Sequence, residues 1–399
     1  MTTVTYLFAT PSGDVKAPEN LLSSQVKAGN RSLHNAPSLR DYFDILAETI
    51  LEKARNLIPL ALPRSKPLHP PRLMRLSITS EKCGSFYHVA RADLETGELK
   101  RICLAVITAF EPFARKVLER DHQNLLHLWN SRQNKLVPRP LYICDKKIGH
   151  SNNSPTVTIS VMEWLQDFYE WHFTCPGGSD SCRITVWKPG SDFCTFPRNE
   201  TGFRLFEKIA EILSYYFDPV QLCQVGLWNH AAGDFVVRLP EEKRISAMLT
   251  TAREYRNIVR NPEFDKEGNL LLALLYLFLD LVLNIRVDRL NGTGRYYFAD
   301  QEFIRPTVTG FFRGLMSVMA ETACDLPLEE LAHLLSSLSR QELLELYGPL
   351  LDFHRGWKRA DALFMEQHLS DHCRQLASNL ELLQGHASEL LDSTSELAA

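Results

Sequence analysis

The stretch from residue 73 to residue 108 constrains this chain most. Leu73–Thr79 alternates apolar and polar residues, Glu81-Lys-Cys-Gly84-Ser85 is a turn, and Phe86–Ala92 forms a second extended run. Glu95-Thr-Gly97-Glu98 turns again into Leu99–Thr108, whose centre is the apolar run Ile102-Cys-Leu-Ala-Val-Ile107. A period of two puts one face of a strand on a core, and turns this short join antiparallel neighbours, so a three-stranded meander is expected. A helix follows over 112–129, with Phe113, Val117, Leu118, Leu125 and Leu128 as its apolar stripe. Two more strands are expected at Val137–Ile143 and Thr156–Met162.

A chain of 399 residues exceeds what one core supports. The expectation is an α+β protein with a small β-rich lobe over 72–165, a larger helical lobe over 166–325 and a helical tail over 326–399. Residues 1–71 read as an extension with one helix, capped by Ser38, and a proline-rich linker from Pro59 to Arg72. Residues 166–200 read as an irregular insertion. A hairpin is expected between 225–239 and Arg244–Thr250, and Ser339-x-x-Glu342 is a capping box. Leu369, Cys373, Leu376, Leu380, Leu383, Ala387 and Leu390 step by four and three along a helix over 361–391. That seam serves either packing on its own domain or a homodimer.

Composition narrows the partners. The net charge of −4, with no run of five Lys or Arg, leaves no field for nucleic acid. The most apolar stretch, Leu270–Leu283, is interrupted by Asp280 and falls short of the roughly 20 residues of a membrane span, so a buried core helix is expected. Residues 1–14 have no basic region ahead of an apolar core, and no secretory leader is expected. Nine scattered cysteines, an odd number, do not read as a secreted disulfide framework. A cytoplasmic location with buried thiols is the expectation. His172, Cys175, Cys182 and Cys194 supply only one of the two tight ligand pairs that a structural zinc site uses, so zinc is not expected.

The element order strand, glycine turn, strand, turn, strand, helix, strand, strand resembles the small lobe of protein-kinase-like and aminoglycoside-phosphotransferase-like proteins. Cys83-Gly84-Ser85-Phe86 resembles their turn over the ATP phosphates, which implies backbone contacts from Gly84 and Ser85. Val161-Met162-Glu163-Trp164-Leu165 resembles the hinge, where the backbone of Glu163 and Leu165 would meet an adenine edge. Trp228-Asn229-His230-Ala-Ala-Gly233-Asp234-Phe235 resembles the catalytic loop, with Asp234 as the base toward a substrate hydroxyl and His230 beside it. Glu254, or the pair Asp300 and Glu302, would hold Mg²⁺. The chain departs from the family in two places. Thr108 stands where the third strand ends in a phosphate-binding lysine, and no aspartate lies between Ile245 and Tyr255, where the metal ligand should follow. The resemblance therefore implies one of two functions: phosphoryl transfer from ATP to a small-molecule hydroxyl, or a pseudokinase-like binding or scaffold protein.

Overall fold

The computed structural model describes residues 2–28, 31–32, 37–61, 73–84, 86–97, 101–149, 155–175, 182–188, 194–196, 200–226, 228, 230–239, 245–257, 266–357 and 359–381. The chain is mixed α+β and divides into two compact units, residues 1–130, 137–167 and 189–192 in the first and the remainder in the second.

The first unit contains β1 (Thr3–Thr10), β2 (Gly13–Lys16), α1 (Glu19–Leu22), β3 (Lys27–Ala28), β4 (Arg31–Ser32) and α2 (Leu39–Ala61). These are followed by β5 (Leu73–Cys83), β6 (His88–Thr96), β7 (Arg101–Ala109), α3 (Pro112–Ser131), β8 (Pro140–Lys147) and β9 (Thr156–Glu163). The expected meander is β5-β6-β7, and β8 and β9 are the two further strands. The sheet is larger than expected, with seven strands in the order β2-β1-β5-β6-β7-β9-β8. Residues 1–71 are therefore not an extension. Strand β1 pairs in parallel with β5, from Thr3 opposite Arg75 to Phe8 opposite Ser80, and α2 lies in the connection between them. The sequence hid β1 because nearly all its residues are half-buried, so its two faces differ little in polarity. The proline-rich segment 62–72 lies outside the described residues.

Two helices use the alternation of the sheet. Ile102, Leu104 and Val106 of β7 and Val157, Ile159 and Val161 of β9 pack with Tyr42, Phe43, Leu46 and Ile50 of α2. Ile107 and Ala109, of the other parity, pack with Ala114 and Leu118 of α3. Burying each such large side chain contributes about 1.5–3 kcal/mol. Ser38 caps α2 as expected. Its hydroxyl donates to Asp41 at 2.6 Å and accepts the Asp41 N–H at 3.1 Å.

The second unit contains β10 (Trp171–Thr174), β11 (Arg183–Val186), β12 (Cys194–Phe196), α4 (Glu200–Tyr215), β13 (Cys223–Gly226), α5 (Ala231–Asp234), β14 (Phe235–Arg238), β15 (Ser246–Leu249) and β16 (Glu254–Asn257). Then come α6 (Lys266–Asn284), β17 (Val287–Arg289), β18 (Tyr296–Phe298), α7 (Ile304–Thr322), α8 (Leu328–Ser337), α9 (Arg340–Trp357) and α10 (Arg359–Glu381). The stretch expected to be an irregular insertion instead carries the three-stranded sheet β10-β11-β12. Cys175 and Cys182 close the β10–β11 hairpin as a disulfide, and of the six described free cysteines only Cys373 is buried while Cys83 is exposed, so the expectation of buried thiols holds for one of them. The expected hairpin is present as β14–β15, Phe235 opposite Leu249.

Helices α4 and α7 approach closely because Gly310 and Gly314 present no side chain to the Glu207 and Glu211 carbonyls of α4. Helix α6 is the one described helix long and apolar enough to cross a membrane, and most of it is buried within the protein. Ser339 caps α9 as the sequence predicts, its N–H and hydroxyl both donating to Glu342 at 2.8 and 2.6 Å. On α10, Cys373, Leu376 and Leu380 are buried, so the described part of the heptad seam packs within its own unit, where α9 is the main neighbour. Leu383, Ala387 and Leu390 lie outside the described residues.

Candidate functional site

Residues 223–257 form two antiparallel pairs, β13 with β16 and β14 with β15. The link between β13 and β14 carries His230 and the single helical turn α5, which ends at Asp234. Its backbone is closed by the Asp234 N–H donating to the His230 carbonyl at 3.1 Å. The Thr250 N–H, just after β15, donates to the Asp234 carbonyl at 2.8 Å, and its hydroxyl does so at 3.0 Å. These bonds pin the carboxylate in a buried place.

Arg253 grips that carboxylate with both arms. Nη1 donates to Oδ2 at 3.0 Å and Nη2 donates to Oδ1 at 2.9 Å, while the Thr251 hydroxyl donates to Oδ1 at 2.8 Å. The side chains are 6% and 2% exposed, arginine first. A general base must offer a lone pair to the substrate proton. Both oxygens of Asp234 instead accept from a buried guanidinium in a bidentate pair, the strongest form of this contact. Arg253 also occupies the segment after β15 where a metal-binding acid is expected. Sequence reasoning missed Arg253, although it lies in the segment searched for an aspartate.

The other predicted residues are placed separately. The Gly84 N–H donates to the Tyr87 carbonyl at 2.8 Å, closing the turn between β5 and β6, and Ser85 lies outside the described residues. Glu163 ends β9, its N–H donating to the Arg139 carbonyl at 2.9 Å and its carboxylate accepting the Arg139 N–H at 3.3 Å. The Trp164 N–H donates to the Cys103 carbonyl at 3.4 Å, and Leu165 is half-buried. Glu254 is half-buried in β16 opposite Gly226. Among the described residues, no three His, Cys, Asp or Glu side chains gather to hold a metal ion. His172 and Cys182, considered for zinc, are committed elsewhere: His172 Nδ1 meets Asp288 at 3.1 Å and Cys182 is bonded to Cys175.

His230 faces a different carboxylate. Its Nε2 is 3.6 Å from Asp361 at the start of α10, and Asp361 also accepts the hydroxyl of Tyr296. Burial, then the Asp361 bond, push the Tyr296 phenol up to about 12. Within the same unit, His354 of α9 donates through Nε2 to Asp280 of α6 at 2.6 Å. Burial alone would lower the His354 pKa, but Asp280, helped by Asp361, holds it above the ordinary value. The break that Asp280 makes in the apolar run is thus a buried ion-pair partner.

Asp300 and Glu302 line a pocket of about 660 Å³ with Arg286, Phe298, His368 and Gln375. Neither Asp234 nor Glu254 lines it. No protein-family model matches the chain, and no curated protein sequence is detectably similar to it.

Proposed function

We propose that this chain is a non-catalytic binding or scaffold protein built on a two-lobed, kinase-like plan. Support for the plan comes from the run β5, glycine turn, β6, β7, α3, β8, β9, which has the order of elements that the resemblance implies. The observation that carries the non-catalytic reading is the buried bidentate pair of Asp234 with Arg253. A base whose two oxygens are held by an internal cation is not poised for a hydroxyl proton. Thr108 is buried at the place where the strand would supply a phosphate-binding cation, and it brings no charge. A cytoplasmic location belongs to the same reading, with six of the described cysteines as free thiols.

A thermal-shift titration with ATP and ADP, with and without Mg²⁺, tests this. A ligand that binds only the native state adds about 2.7 kcal/mol at 100 times its Kd. The expected result is no Mg²⁺-dependent shift. A shift with ATP that requires Mg²⁺ overturns the reading in favour of the competing one, phosphoryl transfer to a small-molecule hydroxyl with Asp234 as base.

A further inference from the structure

The pocket bounded by α10 and the residues after β18 has a built floor. Arg286, 2% exposed, lies against the Phe298 ring, its guanidinium carbon 4.3 Å from the centroid. Its Nε donates to the Ala299 carbonyl, Nη1 to His372 Nδ1 and Nη2 to Gln375 Oε1, each at 2.8 Å. Because His372 Nδ1 accepts, Nε2 carries the proton and donates to the Tyr347 hydroxyl at 2.9 Å. Tyr347 in turn donates to the Leu279 carbonyl at 3.0 Å. This chain of bonds holds the guanidinium in one orientation.

All three acceptors on Arg286 are neutral. A guanidinium has five N–H donors, so two remain without an acceptor among the described residues, and Asp300 acts on it from beyond ion-pair contact. A buried charge with no counter-ion in contact is costly. Burial pushes the Arg286 pKa down to about 10.

The walls are mostly of the opposite sign, with Arg374 as a further cation. Asp300 and Glu302 stand on one side, and Asp371 on the other in an ion pair with Arg374 at 3.0 Å. Phe298 and His368 stack at 4.8 Å with rings 4° from parallel, giving an apolar side. A simple anion would satisfy Arg286 but meet the carboxylates of Asp300 and Glu302. A simple cation would suit the walls but meet a buried guanidinium. Only a ligand with both charges close together is complementary throughout, and a pocket of about 660 Å³ is in the ordinary range for a small molecule.

We propose that this pocket binds a small zwitterion of the free α-amino-acid class, with its carboxylate on the two spare N–H groups of Arg286 and its ammonium on Asp300 and Glu302. The site goes beyond the scaffold reading and does not depend on it. The test is calorimetric titration of the full-length protein with each standard free L-amino acid. At least one is expected to bind one-to-one. Its methyl ester and its N-acetyl derivative should each bind about tenfold more weakly or worse, since each loses a charge-assisted contact. Glu302→Gln and Asp300→Asn lie away from the core, and at least one should weaken the same amino acid by a similar factor. The proposal is overturned if no amino acid binds, if the capped forms bind as well as their parent, or if both variants leave the affinity unchanged.

Discussion

Replacing Arg253 with Met tests whether the Asp234 ion pair holds the second unit together. The substitution roughly preserves the side chain's length and removes its charge. It deletes the two hydrogen bonds at 2.9 and 3.0 Å and leaves a 2%-exposed carboxylate with the Thr251 hydroxyl. Breaking a buried pair on one side costs about 3–5 kcal/mol, mostly the penalty of the stranded charge. At about 2–4 °C per kcal/mol for a unit of this size, the melting temperature should fall by roughly 6–20 °C. Asp234→Leu should be costly in the same way, because it strands Arg253. The double variant should recover part of the loss, since replacing both partners with apolar groups is often near neutral. Circular dichroism melts of the four proteins supply the double-mutant cycle. A fall of under 2 °C for Arg253→Met, or strictly additive losses in the double variant, refutes the reasoning.

Four further outcomes follow from the packing and the charges. Gly310→Ala should destabilise by about 1–3 kcal/mol or more, because its methyl would overlap the Glu207 carbonyl and reach 3.0 Å from the Ala210 methyl. Gly348→Ala in α9 meets nothing within 4 Å and should stabilise by roughly 0.5–1 kcal/mol, so chemical denaturation of the two variants should give opposite signs. Individual buried histidines should respond to pH in opposite directions. Burial lowers His88 and His122 of the first unit to about 4, so their stability contribution is present above roughly pH 6.5 and lost as pH falls toward 4. His354 of the second unit has a raised pKa, so its contribution is full below roughly pH 6.5 and lost as pH rises through the folded value. The destabilisation caused by His354→Gln should therefore shrink with rising pH, as read from denaturant midpoints across a pH series.

Much of the secondary structure was legible in the sequence because local chemistry decides it. The β5–β6–β7 meander follows from alternation and from turns at Gly84 and Gly97, and α2 and α9 start where Ser38 and Ser339 cap them. The break at Asp280 marked α6 as a core helix. Strand β1 was not legible, since its identity as a strand comes from the partner it meets at β5, more than sixty residues away. The packing of α7 was equally hidden, because glycines four apart matter only when a second helix lies against them.

The candidate site divides along the same line. The sequence by itself placed His230, Gly233 and Asp234 in a loop before a strand and supplied Asp300 and Glu302 as neighbouring carboxylates. Only the tertiary structure decided what those groups face. A side chain's charge is local, but its counter-charge is set by whichever distant residue the fold brings within about 4 Å. For Asp234 that residue is Arg253, which makes it an ion-pair partner; for His230 it is Asp361; and Arg286 is brought to the floor of a pocket without a carboxylate in contact.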